Sequence, residues 1–188
     1  MMRADLEKKL EEEFSFMKKR KTYEEQSKEG VVDDIYSAFG LECDDGWYDL
    51  IHDLCKEIDE AYLEAGRKMN LIVIQIKEKF GTLRFYYDFE GKSHSIHAFD
   101  IFGVDGGCSV RNLPKGDDFE NRIADIVRKY EKKSGSVCEV CGSEGKLRPE
   151  LGYVQTLCDK CYTEHTEKGC SYLPLIDELL SQIQENKR

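Results

Sequence analysis

The sequence predicts an α+β protein, in which an antiparallel hairpin-centred sheet is packed by several helices and carries a treble-clef-like zinc finger with four cysteine ligands. Three observations support this fold class. Residues 71–89 are rich in β-branched and aromatic side chains and break at a Phe-Gly dipeptide, as an antiparallel hairpin does. Residues 47–65 place apolar side chains three and four positions apart, which is the period of an amphipathic helix. Residues 138–161 contain two Cys-x-x-Cys pairs separated by sixteen residues.

The composition is that of a soluble globular protein with one main core. The chain has 188 residues, of which 40% are hydrophobic and 35% charged, and its formal net charge is −10. Such an acidic chain repels polyanions, so broad, sequence-independent binding of nucleic acid is disfavoured. The sequence contains neither the apolar region of a secretory signal nor a run of about 18 apolar residues that a membrane span needs. We therefore expect a cytoplasmic protein, in which paired cysteines indicate metal binding rather than disulfides.

Changes of pattern along the chain divide it into four parts. We expect N-terminal helices over 1–40, an α+β core over 41–134 with an insert at 91–116, a zinc finger over 135–170 and a C-terminal helix over 171–188. A chain of this length can bury one sizeable core with a small satellite beside it.

Two helices are predicted before residue 41. Residues 5–29 carry one apolar stripe in a dense mix of charges, and Gly30 provides a stop. The stripe consists of Leu6, Leu10, Phe14 and Met17. It fits a helix laid on the core, although a detachable helix that binds a partner has the same pattern. Residues 31–40 predict a short second helix whose apolar face consists of Val31, Val32, Ile35, Tyr36 and Phe39.

Three longer helical patterns follow. The first is capped by Asp44 or Asp45 and has an apolar face that runs from Trp47 to Ala65. The second is capped by Asp117 or Asp118 and ends near residues 134–135. The third is the C-terminal helix, entered at Pro174.

The register of the hairpin follows from its apolar pattern. If Glu78 lies opposite Leu83, one face pairs Ile76 with Phe85, Ile74 with Tyr87 and Ile72 with Phe89. The other face then pairs Lys77 with Arg84, Gln75 with Tyr86 and Val73 with Asp88. A slip by one residue would set Ile76 against Arg84, which buries a charge or exposes apolar side chains, so the first register is predicted.

The four paired thiols predict a structural zinc site. Zinc prefers four soft ligands at tetrahedral corners, and each Cys-x-x-Cys turn brings two sulfurs to one metal, so we assign Cys138, Cys141, Cys158 and Cys161 as ligands of Zn²⁺. Residues 146–157 between the pairs are long enough for a hairpin, and residues 158–169 form a helix that carries the second pair.

A redox pair is a weaker alternative because one Cys-x-x-Cys would suffice for it. His165, four residues after Cys161, is an alternative ligand. The remaining cysteines match no metal spacing and are predicted to be small buried or half-buried residues: Cys43, Cys55, Cys108 and Cys170. Whether Cys170 joins the metal shell is left open.

No signature of catalysis is present, and we predict that the protein is not an enzyme. Four thiolates leave no open position for water, and the Ser-His-Asp, P-loop and dinucleotide-binding patterns are missing. A nuclease of the HNH class needs a second histidine near His165. The least readable segment, 91–116, is expected to be a loop with a short strand or helix near 96–104, and it carries His94 and His97. These two would bind a metal together if they were helical, which leaves a metal-dependent enzyme as a minor alternative.

One surface of the predicted hairpin is a candidate ligand site. Gln75, Lys77, Arg84 and Tyr86 share a face, where two cations beside an aromatic ring suit a phosphate and a stacked base. Neighbouring acidic side chains that neutralise the cations are the simpler explanation. Nucleic-acid binding by the zinc finger, through Lys146, Arg148 and Lys160, is a second alternative, which three cations support only weakly.

Three stretches of the chain resemble a family of small phage and prophage proteins with a zinc finger. They are the Gly-Trp helix start at 46–47, the segment 77–86 (KEKFGTLRFY), and the cysteine segment with Cys-Glu-x-Cys-Gly at 138–142 and Thr-Leu-Cys at 156–158. The resemblance covers about half of the chain and implies no particular activity. It implies a phage-type accessory protein that acts by binding, for example as an inhibitor or a sponge in counter-defence. The expected partner is a host protein or a small nucleotide-like ligand, and the oligomeric state is left open.

Overall fold

The protein has a mixed α+β structure of helices and small sheets, as the sequence predicts. A computed structural model describes residues 1–30, 33–91, 97–103, 106–112, 116–149 and 153–167. Within them lie six α-helices and three sheets of two or three strands. The predicted C-terminal helix at 171–188 lies outside the described residues, as do Val31, Val32 and His94.

The N-terminal segment is broken where the sequence predicts one helix. Helix α1 spans Ala4–Glu13, and a short 3₁₀ turn follows at Ser15–Met17. The predicted stripe is buried, but so is Phe16. Because successive residues turn by about 100° around a helix, Phe14 and Phe16 would point to opposite sides of a continuous one. Ending α1 at Glu13 lets both rings enter the core.

Two short helices come next. Helix α2, Tyr23–Glu29, starts at a capping box made by Thr22 and Glu25 and stops at Gly30, whose φ is 80°. Helix α3, Ile35–Phe39, is capped by Asp34. The predicted apolar face of this helix is only partly correct, because Tyr36 is buried while Ile35 and Phe39 are exposed.

Helix α4 is the central helix of the core. The two-residue strand β1, Leu41–Glu42, leads to a 3₁₀ turn at Asp45–Trp47 and then to α4 at Tyr48–Glu64. Its predicted face is buried from Trp47 through Tyr62, whereas Ala65 lies beyond the helix end and is exposed. Neither Asp44 nor Asp45 caps α4; the Asp45 carboxylate instead accepts a hydrogen bond from Arg3 Nε at 2.7 Å.

The main sheet has the order β1-β2-β3, with β2 at Leu71–Lys79 and β3 at Thr82–Phe89. Strands β2 and β3 are antiparallel and join at Phe80 and Gly81, which both have positive φ, as a type I′ turn requires. The predicted register is correct from the turn to the pair Gln75 and Tyr86. A bulge at residue 74 then shifts it, so that Val73 rather than Ile74 lies opposite Tyr87 and faces the core.

Helix α5, Asp118–Ser134, packs against α4 and along the free edge of β3. Asp117 is its cap, as predicted. The β3 amides of Leu83 and Phe85 donate to Ser134 Oγ and Glu131 Oε1, both at 2.8 Å. These side chains satisfy an edge that would otherwise be open to another strand.

The insert forms a hairpin, whose first strand lies where the sequence predicts a short strand or helix near 96–104 and whose second strand lies where it predicts loop. Strand β4, His97–Gly103, pairs antiparallel with β5, Gly106–Asn112. His97 therefore begins a strand rather than a helix. In the described part of the chain, no helix combines the length and apolar character needed to cross a bilayer.

The last described part is the cysteine module, which we define as residues 136–149 and 153–167. It contains a knuckle at 137–145, the short strands β6, Lys146–Arg148, and β7, Gln155–Leu157, and helix α6, Asp159–Glu167. Strands β6 and β7 are antiparallel.

Candidate metal centre

The knuckle presents the first cysteine pair. Cys138 N donates to Ser143 O, and Gly142 N donates to Cys138 O, both at 2.8 Å, which closes a tight turn around the two thiols. Gly142 has a φ of 77°, a conformation that glycine adopts without strain. Hydrogen bonds within the backbone thus place Cys138 and Cys141 on the same side of the turn.

The second pair lies where β7 meets α6. Cys158 directly precedes the helix, and Cys161 lies in its first turn. Cys161 N points to Cys158 Sγ at 3.4 Å, and Tyr162 N donates to Cys158 O at 2.9 Å. These two contacts orient Cys158 at the start of the helix, next to Cys161.

The four predicted ligands converge. All four Sγ atoms lie within 4.8 Å of one another, and Cys141 Sγ is 3.7 Å from Cys158 Sγ. Four sulfurs bound to zinc at about 2.3 Å in a tetrahedron lie about 3.8 Å apart. The arrangement therefore fits a metal ion with four thiolate ligands, and each of these cysteines is a free thiol.

The four thiols differ in their surroundings. Hydrogen bonds from the Ser143 side chain and backbone lower the pKa of Cys141 to about 6, and this thiol is exposed. Burial raises the pKa of Cys138 and of Cys161. Cys141 is thus the exposed member of the set, whereas Cys138 and Cys161 are buried.

The knuckle is joined to the core through the turn before α4. Gly46 N donates to Glu139 O at 2.7 Å, and Trp47 Nε1 donates to Val137 O at 2.8 Å. A Cβ on Gly46 would lie 2.5 Å from both Glu139 O and Gly142 N. The two backbones approach so closely that only glycine fits at position 46.

A second set of contacts joins β7 to the turn of the main hairpin. Thr156 Oγ1 donates to Gly81 O at 2.6 Å, and both residues are buried. The Tyr153 hydroxyl donates to Glu78, the residue two positions before this turn. Thr156 O also accepts from Glu139 N at 3.0 Å, which links this contact to the knuckle.

Glu139 is a buried carboxylic acid at the centre of these contacts. Its side chain is only 3% exposed, and Oε1 accepts from Asp44 N at 3.2 Å. Burial, together with the nearby charges of Glu78 and Asp44, raises the pKa of Glu139 to about 7. Spacing rules for metal ligands do not identify this residue, although it lies in the Cys-Glu-x-Cys-Gly motif at 138–142.

The cations of the cysteine module are paired with acids. Lys146 Nζ lies 3.1 Å from Asp159 Oδ1, and Arg148 binds the same oxygen while its guanidinium stacks on Tyr162 at 4.2 Å. Lys160 lies 3.9 Å from Glu164. This pairing reduces the positive potential that nucleic-acid binding by these three residues would need.

The residues of the predicted ligand face lie next to one another on the sheet, but two of them already bind other groups of the protein. Gln75 and Tyr86 pair across the strands, as do Lys77 and Arg84. Lys77 Nζ lies 5.6 Å from the Tyr86 ring centroid, and Gln75 Nε2 donates to Glu42 at 2.6 Å. Arg84 is only 6% exposed and donates to Leu83 O at 3.0 Å. The role of these residues in binding stays a prediction.

The remaining candidates do not join the cysteine cluster in the described part of the chain. His165 is half-buried on α6 but is not among the four converging ligands. Cys43 and Cys55 are buried, as expected. Cys170 lies outside the described residues, and for Cys108 and His97 the described backbone gives only their places in β5 and β4.

The motif residues of the sequence meet at one place. Gly46 and Trp47, the hairpin turn at 80–81, Glu139 and Thr156 together form the junction between the cysteine module and the core. Comparison of the chain with protein-family profiles, curated proteins and solved structures gives no match.

Proposed function

We propose that this protein is a structural-zinc protein that acts by binding, and that it sequesters or inhibits a host protein or a small anionic, nucleotide-like ligand. The observation that supports the zinc site is the convergence of the four sulfurs, whose mutual distances suit one tetrahedral ion. In this proposal Cys138, Cys141, Cys158 and Cys161 hold Zn²⁺, and the knuckle, the β6-β7 hairpin and α6 form a treble-clef finger.

The ligand set favours architecture over catalysis. When four thiolates fill the coordination shell, no position is left for a water molecule that the metal would activate. The zinc then cross-links the knuckle to α6, and the knuckle and β7 in turn contact the core. We infer that the metal stabilises the surface through which the protein recognises its partner.

The same geometry supports a test of the metal. Purified protein should contain one zinc per chain, and Cys141→Ser should lose the metal and unfold the cysteine module, because zinc ligation supplies folding free energy on the order of 10 kcal/mol in small fingers. Cys55→Ser is the matched control, since Cys55 is a buried free thiol outside the cluster. Elemental analysis that finds no zinc would exclude the metal assignment.

A small anionic ligand is the more specific version of the binding proposal. Its support is the contact of Lys77 with the Tyr86 ring, which suits a phosphate beside a stacked base, whereas the neighbouring Arg84 is buried and already donates to Leu83 O. The resemblance to phage proteins supports a role in counter-defence, where capture of a nucleotide signal or of a host protein is the relevant action.

Calorimetry with a panel of nucleotides and cyclic oligonucleotides tests this version. We expect heat of binding for one member of the panel, and a loss of about tenfold or more in affinity for Lys77→Ala, because a charge-assisted hydrogen bond contributes about 1.5–3 kcal/mol. Lys56→Ala removes a solvent-exposed lysine of α4 and should leave the affinity unchanged. The absence of heat for the whole panel, with no ligand retained through purification, would leave a host protein as the proposed partner.

A further inference from the structure

We propose that the junction between the knuckle and the Asp44–Trp47 turn is a metal-dependent latch, in which zinc occupancy and the docking of this turn stabilise each other. The latch consists of the contacts that Asp44, Gly46 and Trp47 make with Val137 and Glu139. This inference rests on the proposed zinc site, and it adds that the metal controls the order of a segment about ninety residues away in sequence.

The acceptors of the latch flank a metal ligand on both sides. Val137 O and Glu139 O accept from Trp47 Nε1 and Gly46 N at 2.8 and 2.7 Å, and Cys138 lies between them in the chain. Ligation of Cys138 therefore fixes the directions of both carbonyl groups. Without a metal the knuckle depends on a few backbone hydrogen bonds, such as Cys138 N to Ser143 O.

The backbones of the turn and the knuckle are packed so closely at the latch that neither has room for an added Cβ. A Cβ at Gly46 would lie 2.5 Å from Glu139 O and Gly142 N, and a Cβ at Gly142 would lie 3.0 Å from Gly46 O. Both partners are backbone atoms, which cannot rotate away as the end of a long side chain can. A small change in the knuckle must therefore displace the turn, and a small change in the turn must displace the knuckle.

The turn connects the latch to the rest of the fold. Trp47 is fully buried in the core beside α4, and the Asp45 carboxylate accepts hydrogen bonds from Arg3 N and Nε at 2.8 and 2.7 Å. A displacement of the turn would therefore also displace the start of α4 and the segment before α1. Metal binding at the cysteine cluster is in this way linked to packing of the N-terminal part.

Linkage makes the proposal measurable from either side. If zinc raises the equilibrium constant for docking of the turn by some factor, docking must raise the affinity for zinc by the same factor. A variant whose turn does not dock should therefore lose that factor in zinc affinity. Changes to residues that orient metal ligands typically cost about 10–100-fold in metal affinity. We expect a loss in this range when the latch is disrupted with all four cysteines intact.

Gly46→Ala tests the latch, with Gly135→Ala as the matched control. Position 135 ends α5 with an ordinary φ of −66°, and an added Cβ there would meet its nearest atoms at 3.5 Å. Zinc affinity is measured by competition with a chromophoric chelator. Gly46→Ala should bind zinc about 10–100-fold more weakly than the natural protein, and Gly135→Ala should match it. Trp47→Phe, which removes the indole N–H donor and keeps an aromatic ring in the core, provides a second variant and should weaken zinc binding about tenfold.

The emission of Trp47, the single tryptophan of the chain, supplies an independent readout. Removal of zinc from the natural protein should shift this emission to longer wavelength as the indole leaves its buried site. Unchanged emission on zinc removal, or full zinc affinity in both Gly46→Ala and Trp47→Phe, would overturn the latch while leaving the zinc site in place. A natural protein that binds no zinc at all would overturn the proposed zinc site and the latch together.

Discussion

Replacing Thr156 by Val tests whether the cysteine module and the α+β core unfold as one unit. Thr156 belongs to β7 of the cysteine module, whereas its hydrogen-bond acceptor, Gly81 O, belongs to the turn of the main hairpin. Val has nearly the same volume as Thr, so the substitution removes the hydroxyl group without opening a cavity. Its effect therefore reports the hydrogen bond between the two parts.

The expected magnitude follows from burial. The Thr156 hydroxyl donates at 2.6 Å to a buried carbonyl, and Thr156 itself has no exposed surface. Leaving a buried acceptor without its donor costs about 1–3 kcal/mol. With a urea dependence of about 2 kcal/mol per M, which is typical of a small domain, the unfolding midpoint should fall by about 0.5–1.5 M.

Urea unfolding followed by far-UV circular dichroism is the assay, because five of the six described α-helices lie outside the cysteine module and dominate this signal. Thr163→Val is the control, since Thr163 is an exposed residue of α6 that also donates to a backbone carbonyl, Asp159 O, at 3.0 Å. The control should shift the midpoint by less than about a quarter of a molar, because changes at exposed sites cost at most about 0.5 kcal/mol. A midpoint of the helical signal that is the same in Thr156→Val and in the natural protein would show that the two parts unfold independently.

Three further predictions concern stability and binding. Burial raises the pKa of Asp34, but hydrogen bonds from Ser37 and Arg20 lower it by more, so the pKa of this carboxyl lies below its ordinary value. The stability that the carboxylate contributes should therefore be lost as pH falls below that ordinary value. Asp34→Asn should cost about 1–3 kcal/mol at pH 7 and reduce the acid dependence of the unfolding free energy; an unchanged pH profile would contradict this role. Gly81→Ala should lower the melting temperature, because a φ of 73° costs about 1–2 kcal/mol for a residue with a Cβ, and a variant as stable as the natural protein would contradict the left-handed conformation of this turn. Gel shifts with DNA and RNA at low salt should show no complex, since acids pair with all three cations of the cysteine module, and a salt-sensitive complex would restore nucleic acid as a partner.

The elements that the sequence predicts correctly are those with one dominant local signal. The cysteine spacing identified four side chains that the fold brings together. The apolar period from Trp47 to Tyr62 identified α4, and the break at Phe80-Gly81 identified the hairpin and its register near the turn. In each case a short-range pattern is enough to place the element: ligand spacing for the cysteines, the helical period for α4 and the turn residues for the hairpin.

The errors arise where several arrangements satisfy the same pattern. In the run from Leu71 to Ile74 every side chain is apolar, so either alternate set can face the core, and only the bulge in the folded sheet selects Leu71 and Val73. The break after Glu13 depends on space for Phe16 in the tertiary core, which a local period does not contain.

The residues missed at the junction had a signal that spacing rules do not use. Gly46, Gly81 and Thr156 lie in the three motifs on which the family resemblance rests, and each contacts the other part of the molecule. Glu139 lies in the same motifs and is buried between them. Their shared role is packing of the cysteine module on the core, which becomes visible only when the three segments are brought together.

X-ray absorption at the zinc edge of the purified protein tests the central claim most directly. The proposed zinc site requires a single shell of four sulfur atoms at about 2.3 Å from the metal, supplied by the two Cys-x-x-Cys pairs. A shell that contains nitrogen or oxygen in place of one sulfur would instead identify an open or mixed site and contradict the purely structural role proposed for the metal.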